Sequence, residues 1–318
     1  MRSGHPPGKK SSTKVREHAV YQAMTAEEIP LMIEAGATLI HVLPEDHYAR
    51  EHLPKATNAC VYEMAFVSKV RQLVPELDAP IIVYGAGGGS LDSAAAAEKL
   101  TSAGYSRVHD FRGGLAEWKR TGRTVEGTGA AEIPPDLDGS YAVNTTTSLV
   151  RWTGRNLFNH HHGTLRLAGG HLEVDHGLLQ SARFVVDMAT IACDDLDDPD
   201  MNALLIRHLR DDDFFAVDRF PTAECAITTA EPVPDASHGT PNYTLRGTLT
   251  LRGVTRPIAF PAVIAAADTG QLTGQAQFEF DRTQFGSHYG SGRLFAFLGP
   301  HVVNDHVHLH VKLHATKK

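Results

Sequence analysis

At 318 residues the chain exceeds what one hydrophobic core usually takes, so two domains are expected. With 42% hydrophobic and 21% charged residues it is neither disordered nor collagen-like. A net charge of −7, with no long Lys/Arg block and no apolar run near the ~18 residues of a spanning helix, argues against nucleic acid as a partner and against membrane insertion.

Residues 1–19 are polar and rich in Lys, Ser and Pro, and read as a disordered tail. The first 22 residues carry no apolar segment of a secretion signal. The three cysteines, Cys60, Cys193 and Cys225, are too scattered for a disulfide framework or a paired-cysteine zinc site. Both features lead to an expected cytoplasmic location.

From Met24 onward, strand and helix patterns alternate. Thr25 and Glu28 are spaced as a capping box before a helix over 29–37, in which Pro30 sits awkwardly. Strands follow at 39–42, 80–84 and 107–111, with a polar turn at 44–46 and helices over 90–104 and 114–121. Strand–helix alternation predicts a mainly parallel sheet covered on both faces over 20–125.

Residues 126–137 lack periodicity, contain Pro134-Pro135 and read as a linker. Over 138–318 the period becomes two: Leu165/Leu167, Phe184/Val186/Met188, Tyr243 to Leu251, Leu272 to Phe280 and Val307 to Leu313 each supply one strand face. Only residues 200–209 have helical spacing. A hairpin is expected around Arg252-Gly253, with a change of pairing at Pro257. The fold class is therefore two domains, a parallel-sheet α/β domain and an all-β antiparallel barrel with one helix.

Within 21–127, the strand LIHV, the turn HLPKA, the loop VYGAGGGSLDSAAAAEKL and the segment FRGGLAEWK resemble a rhodanese domain. That resemblance implies a nucleophilic cysteine at the end of a strand, cradled by backbone N–H groups. Gly85 stands there instead, and Asp92 stands where active members often carry an arginine. No catalytic residue is assigned, no cofactor is expected, and the domain reads as a pseudoenzyme. Gly85, Ala86, Gly87, Gly88, Gly89 and Ser90 remain as a degenerate anion loop. The same glycines with Asp110 imitate part of a dinucleotide fingerprint, but Ser90 replaces the third glycine and too few elements follow. Cys60 is the available substitute nucleophile for a sulfurtransferase reading.

Residues 139–314 resemble the YceI-like family through HLRDDDFFAVDRFPTAEC, LRGTLTLRGVTRPIAF and FDRTQFGSHYGSGRLFAFLG. The resemblance implies a lipocalin-like barrel that holds a lipid, such as an isoprenoid chain, without transforming it. Phe184, Val186, Met188, Leu249, Phe278 and Phe280 are the expected ligand-lining residues, with Gly274 and Ala276 leaving room; each also suits plain core. The sequence departs from lipid-binding members at 152–164 and 289–292.

Histidines form two clusters, His160, His161 and His162, and His306, His308 and His310 with His314. The second set alternates with Val307, Leu309, Val311 and Leu313, so it points outward if those line the barrel. Pairing of first and last strands would bring the two clusters together as a metal site, with Asp305 as an acidic ligand; a solvated exterior is the competing reading. His208 is expected to make a structural hydrogen bond. The functional expectation is a binding protein for an apolar or amphipathic small molecule, with the first domain serving protein interaction or anion sensing. A sulfurtransferase using a non-standard cysteine and a histidine-based metal binder are the alternatives.

Overall fold

A computed structural model describes residues 21–129, 136–268 and 270–318. They fall into two compact units divided between residues 133 and 134. The 1–19 tail and residues 130–135 of the expected linker lie outside the described residues. The linker's described ends are pinned to their own units: Glu126 bridges His52, and the Tyr141 hydroxyl donates to the Leu137 carbonyl at 2.9 Å.

The first unit contains, in chain order, β1 (Gln22–Ala23), α1 (Ile29–Glu34), β2 (Thr38–His41), α2 (Glu45–Arg50), β3 (Thr57–Asn58), α3 (Phe66–Leu73), β4 (Ile81–Tyr84), α4 (Asp92–Ser102), β5 (Val108–Phe111) and α5 (Gly114–Arg120). All five strands are parallel, in the order β1-β5-β4-β2-β3. Strand β4 is buried along its length because both faces are covered. Ile81 and Val83 enter a core with Val70, Ala96 and Leu100, whereas Ile82 and Tyr84 join Ile29, Phe111 and Trp118.

Three local expectations are corrected. The polar turn at 44–46 opens α2, with Glu45 and Asp46 in its first turn and Arg50 in its last, where each sign opposes the helix dipole. Pro30 occupies the first turn of α1, where its missing N–H has no partner to lose. The expected capping box is not formed: Glu28 itself stands at the N-cap of α1, and its carboxylate accepts from the N–H and the hydroxyl of Thr25 at 2.7 and 2.9 Å.

The second unit contains β6 (Gly139–Val143), β7 (Leu149–Arg155), β8 (His160–Asp175), β9 (Leu178–Cys193), α6 (Pro199–Arg210), β10 (Thr222–Pro232), β11 (Tyr243–Leu251), β12 (Val254–Asp268), β13 (Gln271–Asp281) and β14 (His306–Lys317). Strands β6 and β7 share one position, since both pair with β8 and with β14. The antiparallel sheet closes because β14 also pairs with β13. It is a barrel of eight strand positions.

The hairpin turns through Arg252 and Gly253, both at positive φ as a type I′ turn requires. Pairing does not change at Pro257, which stays in register with Thr248. Pro257 and Pro261 precede Ala262, where pairing with β13 begins, so this half of β12 has a partner on one side only. Such an edge tolerates proline.

Candidate functional site

Two adjoining cavities, each of about 100 Å³, fill the barrel interior. Val150, Val186, Leu249 and Leu309 line both, which makes them neighbours along one apolar interior. Its wall follows β14 from Val307 to Ala315, a run of roughly 26 Å at about 3.3 Å per residue. Phe184, Val186, Leu249 and Phe278 line the first cavity; Val186, Met188, Leu249 and Phe280 line the second. Gly274 and Ala276 also border the first, beside β12, whose Phe260 stacks on Phe278 at 4.1 Å. Cys225 is a lining residue that periodicity alone did not single out, and burial pushes its thiol up to about 12.

Arg282 borders the second cavity although its side chain is fully buried. Its guanidinium donates to the carbonyls of Asn304, Ser287, Tyr289 and Val303 at 2.8–3.0 Å, and it lies 5.1 Å from the Phe214 ring centre. A single cation thus ties the segment after β13 to the approach to β14. Sequence reasoning passed over Arg282 inside the motif FDRTQFG, because nothing local distinguishes a buried arginine from a surface one. His208 stacks edge-on against Tyr289 at 4.3 Å and lies 3.7 Å from Asp213, so it braces α6 rather than facing the cavity.

Near Arg282, two loops expose large apolar side chains. Leu157 and Phe158 follow β7, and Leu294, Phe295 and Phe297 precede β14. A bridge between Asn156 and Val303 joins the two segments, and Val303 borders the second cavity.

The histidine clusters are not on adjacent strands as expected, although His162, His308 and His310 border one open cavity. Strand β7 intervenes, with Thr153 paired to His162 on one side and to His308 on the other. His308 lies 3.5 Å from Glu279, and Asp305 is engaged by Arg293 at 3.5 Å instead of offering a metal ligand. His306 and His310 are exposed, on the face opposite the Leu309 and Val311 that line the barrel. His160 is likewise exposed, whereas His161 and His162 turn toward Asp195 at 3.2 and 3.9 Å.

In the first unit, the loop from Gly85 to Ser90 has Gly87, Gly88 and Gly89 all at positive φ, a conformation that side chains resist. The carboxylate of Asp92 in the first turn of α4 closes this loop. It accepts from the N–H of Ala86 at 3.1 Å, the N–H of Ser93 at 2.7 Å and the hydroxyl of Ser90 at 2.9 Å. The Asp92 carboxylate thus takes up N–H groups at both ends of the loop. Asp110 is likewise committed, receiving Arg112 at 2.7 Å, and the sheet ends without the extra strands of a dinucleotide crevice. Cys60 is buried, 4% exposed, in the loop after β3.

His41, at the end of β2, is fully buried. Its Nδ1 lies 3.3 Å from the Asn58 amide, its Nε2 has no hydrogen-bond partner, and desolvation takes its pKa down to about 4. Burial raises the Tyr84 phenol, whose oxygen accepts from the Leu53 N–H at 2.9 Å.

A YceI-like domain model matches residues 141–315, more than half of the chain. The chain belongs to the YceI-like family. This YceI-like protein also carries a rhodanese-like domain, whose model matches residues 25–121. No curated protein matches the chain. Similar solved structures include BcnA from Burkholderia cenocepacia, with 20% identity, coverage of 55% of this chain and 99% of that one, and a TM-score of 0.44. A polyisoprenoid binding domain from Saccharophagus degradans has 14% identity, coverage of 56% and 98%, and a TM-score of 0.41. The rhodanese-like part resembles the Alr3790 protein from Anabaena sp., with 29% identity, coverage of 33% and 80%, and a TM-score of 0.30. No helix among the described residues is long and apolar enough to cross a membrane.

Proposed function

We propose that the YceI-like barrel binds an elongated apolar or amphipathic molecule of isoprenoid-like shape and releases it unchanged. The observation that carries this reading is the continuous apolar wall from Val307 to Ala315, with two adjoining cavities along it. Water gains few hydrogen bonds against such a wall, so an apolar chain displaces it favourably. The exposed Leu157, Phe158 and Phe297 mark the end at which an apolar chain enters.

The rhodanese-like domain acts in this proposal as an interaction module without sulfur chemistry. Its strand-end loop is closed by Asp92, and Cys60 is too buried to meet a substrate. Tyr62, Met64 and Leu91 remain exposed there as apolar surface for a protein partner.

The test is native mass spectrometry of the full-length, tag-free protein before and after solvent extraction, followed by titration of the extracted protein with farnesol. A co-purifying apolar adduct and saturable farnesol binding are expected. Leu309→Trp, which fills the space shared by both cavities, should weaken that binding by at least about tenfold, the loss of roughly 1.4 kcal/mol. A bare mass together with no farnesol uptake overturns the proposal.

A further inference from the structure

Outside the channel and the closed loop, one cluster has the donor set of a metal centre. His161 near the start of β8, Cys193 at the end of β9 and Asp195 just beyond it each offer one ligand atom, all within 4.8 Å of one another. The Cys193 thiol donates to Asp195 Oδ1 at 3.1 Å, and His161 Nδ1 is 3.2 Å from Asp195 Oδ2. His162 Nδ1 lies 3.9 Å from the same Oδ2.

Backbone and neighbouring side chains hold these groups in place. The His162 N–H donates to Asp195 Oδ1 at 3.0 Å, and the Asp194 N–H donates to the His162 carbonyl at 2.9 Å, which folds the chain after β9 back onto β8. From α6, the Asn202 amide reaches the carbonyls of Cys193 and Leu196 at 3.0 and 3.1 Å. Orienting contacts of this kind are what distinguish a ligand site from a scatter of polar groups. The exposed histidines of β14 have no such support.

We propose that His161, Cys193 and Asp195, with His162 as fourth donor, bind a zinc-class divalent cation. Imidazole, thiolate and carboxylate together suit zinc or cobalt, whereas calcium and magnesium prefer oxygen alone. Metal–ligand bonds of about 2.0–2.3 Å in a tetrahedron set the ligand atoms roughly 3.3–3.7 Å apart. The three ligand atoms lie within 4.8 Å of one another, with Cys193 already 3.1 Å from Asp195 Oδ1 and His161 3.2 Å from Oδ2, so side-chain adjustments of about an ångström bring one carboxylate oxygen, the thiolate and the imidazole to these spacings. On binding, the Cys193 S–H bond breaks, its proton goes to solvent and the sulfur pair forms the metal bond; neutral His161 keeps its proton on Nε2 and binds through Nδ1. The site is independent of what the barrel carries.

Cobalt(II) titration of the full-length, tag-free protein tests this directly. One ion per chain is expected, with tetrahedral visible absorption and a near-ultraviolet thiolate-to-cobalt band, both abolished by added zinc. Cys193→Ser should remove the thiolate band and weaken zinc binding by at least about tenfold, and Asp195→Asn should weaken it without removing the band. A His306→Gln/His308→Gln/His310→Gln variant should bind as wild type. Saturating cobalt without a thiolate band in the wild-type protein overturns the proposal, whatever the variants do. Binding lost only in the β14 triple variant overturns it equally.

Discussion

A β-carbon placed on Gly85 would lie 2.5 Å from both carboxylate oxygens of Asp92. A side chain at the end of β4 would take the space in which the Asp92 carboxylate satisfies the loop's N–H groups.

Gly85→Cys alone is therefore expected to give no thiosulfate:cyanide turnover and to destabilise the rhodanese-like unit by about 1–3 kcal/mol through overpacking. Removing the clash with Gly85→Cys/Asp92→Ala should recover that stability in part. The two tryptophans fall one in each unit, so denaturation followed by Trp118 emission in a Trp152→Phe background reads this unit alone. Turnover by the single variant would show that the loop is still an active site.

Asp92→Ala should turn the closed loop into a real anion site. The N–H groups of Ala86 and Ser93 lose a charged acceptor, and sulfate can replace it. Added sulfate is expected to raise the unfolding temperature of this variant more than that of the wild type, by linkage to the folded state. Equal shifts in the two proteins would mean that the carboxylate does not occupy the anion position.

His41 makes the first unit acid-sensitive. Its folded pKa of about 4 lies below the ordinary 6.5, so the unfolded chain takes up the proton first. Stability is full above pH ~6.5 and drains as the pH falls toward about 4, by roughly 3 kcal/mol in all. His41→Phe keeps an aromatic ring beside Tyr84 and should flatten this dependence. Urea unfolding at pH 7 and pH 4.5 measures it, and an unchanged pH slope in the variant would assign the acid sensitivity to other groups.

Arg282→Met should destabilise the barrel by about 3–5 kcal/mol, because four carbonyls lose a fully buried charged donor. Arg282→Lys should recover only part of that, since one ammonium cannot span four acceptors arranged around a guanidinium. Trp152 emission in a Trp118→Phe background follows the transition. A lysine variant as stable as wild type would show that charge alone matters at this position.

Much of the fold was legible in the chain. The change of period between the halves follows from burial on both faces of a parallel sheet and on one face of a barrel strand, and each leaves its mark residue by residue. Strand β4 and the alternation of Val307, Leu309, Val311 and Leu313 were plain on that basis. Helix α2 was missed because its opening residues, Pro44 to Asp46, read as a polar turn and it buries no residue that would mark an apolar face.

By itself the sequence determined that no cysteine lies in the glycine loop and which strand faces are apolar. Only the tertiary structure decided what those residues do together. That Asp92 fills the loop, that Arg282 gathers four carbonyls, and that β7 separates two histidine clusters while β9 brings Cys193 and Asp195 to His161 all depend on contacts between distant positions. Periodicity reports which way a side chain faces along its own strand. It carries no information about the partner that the closed barrel sets across from it.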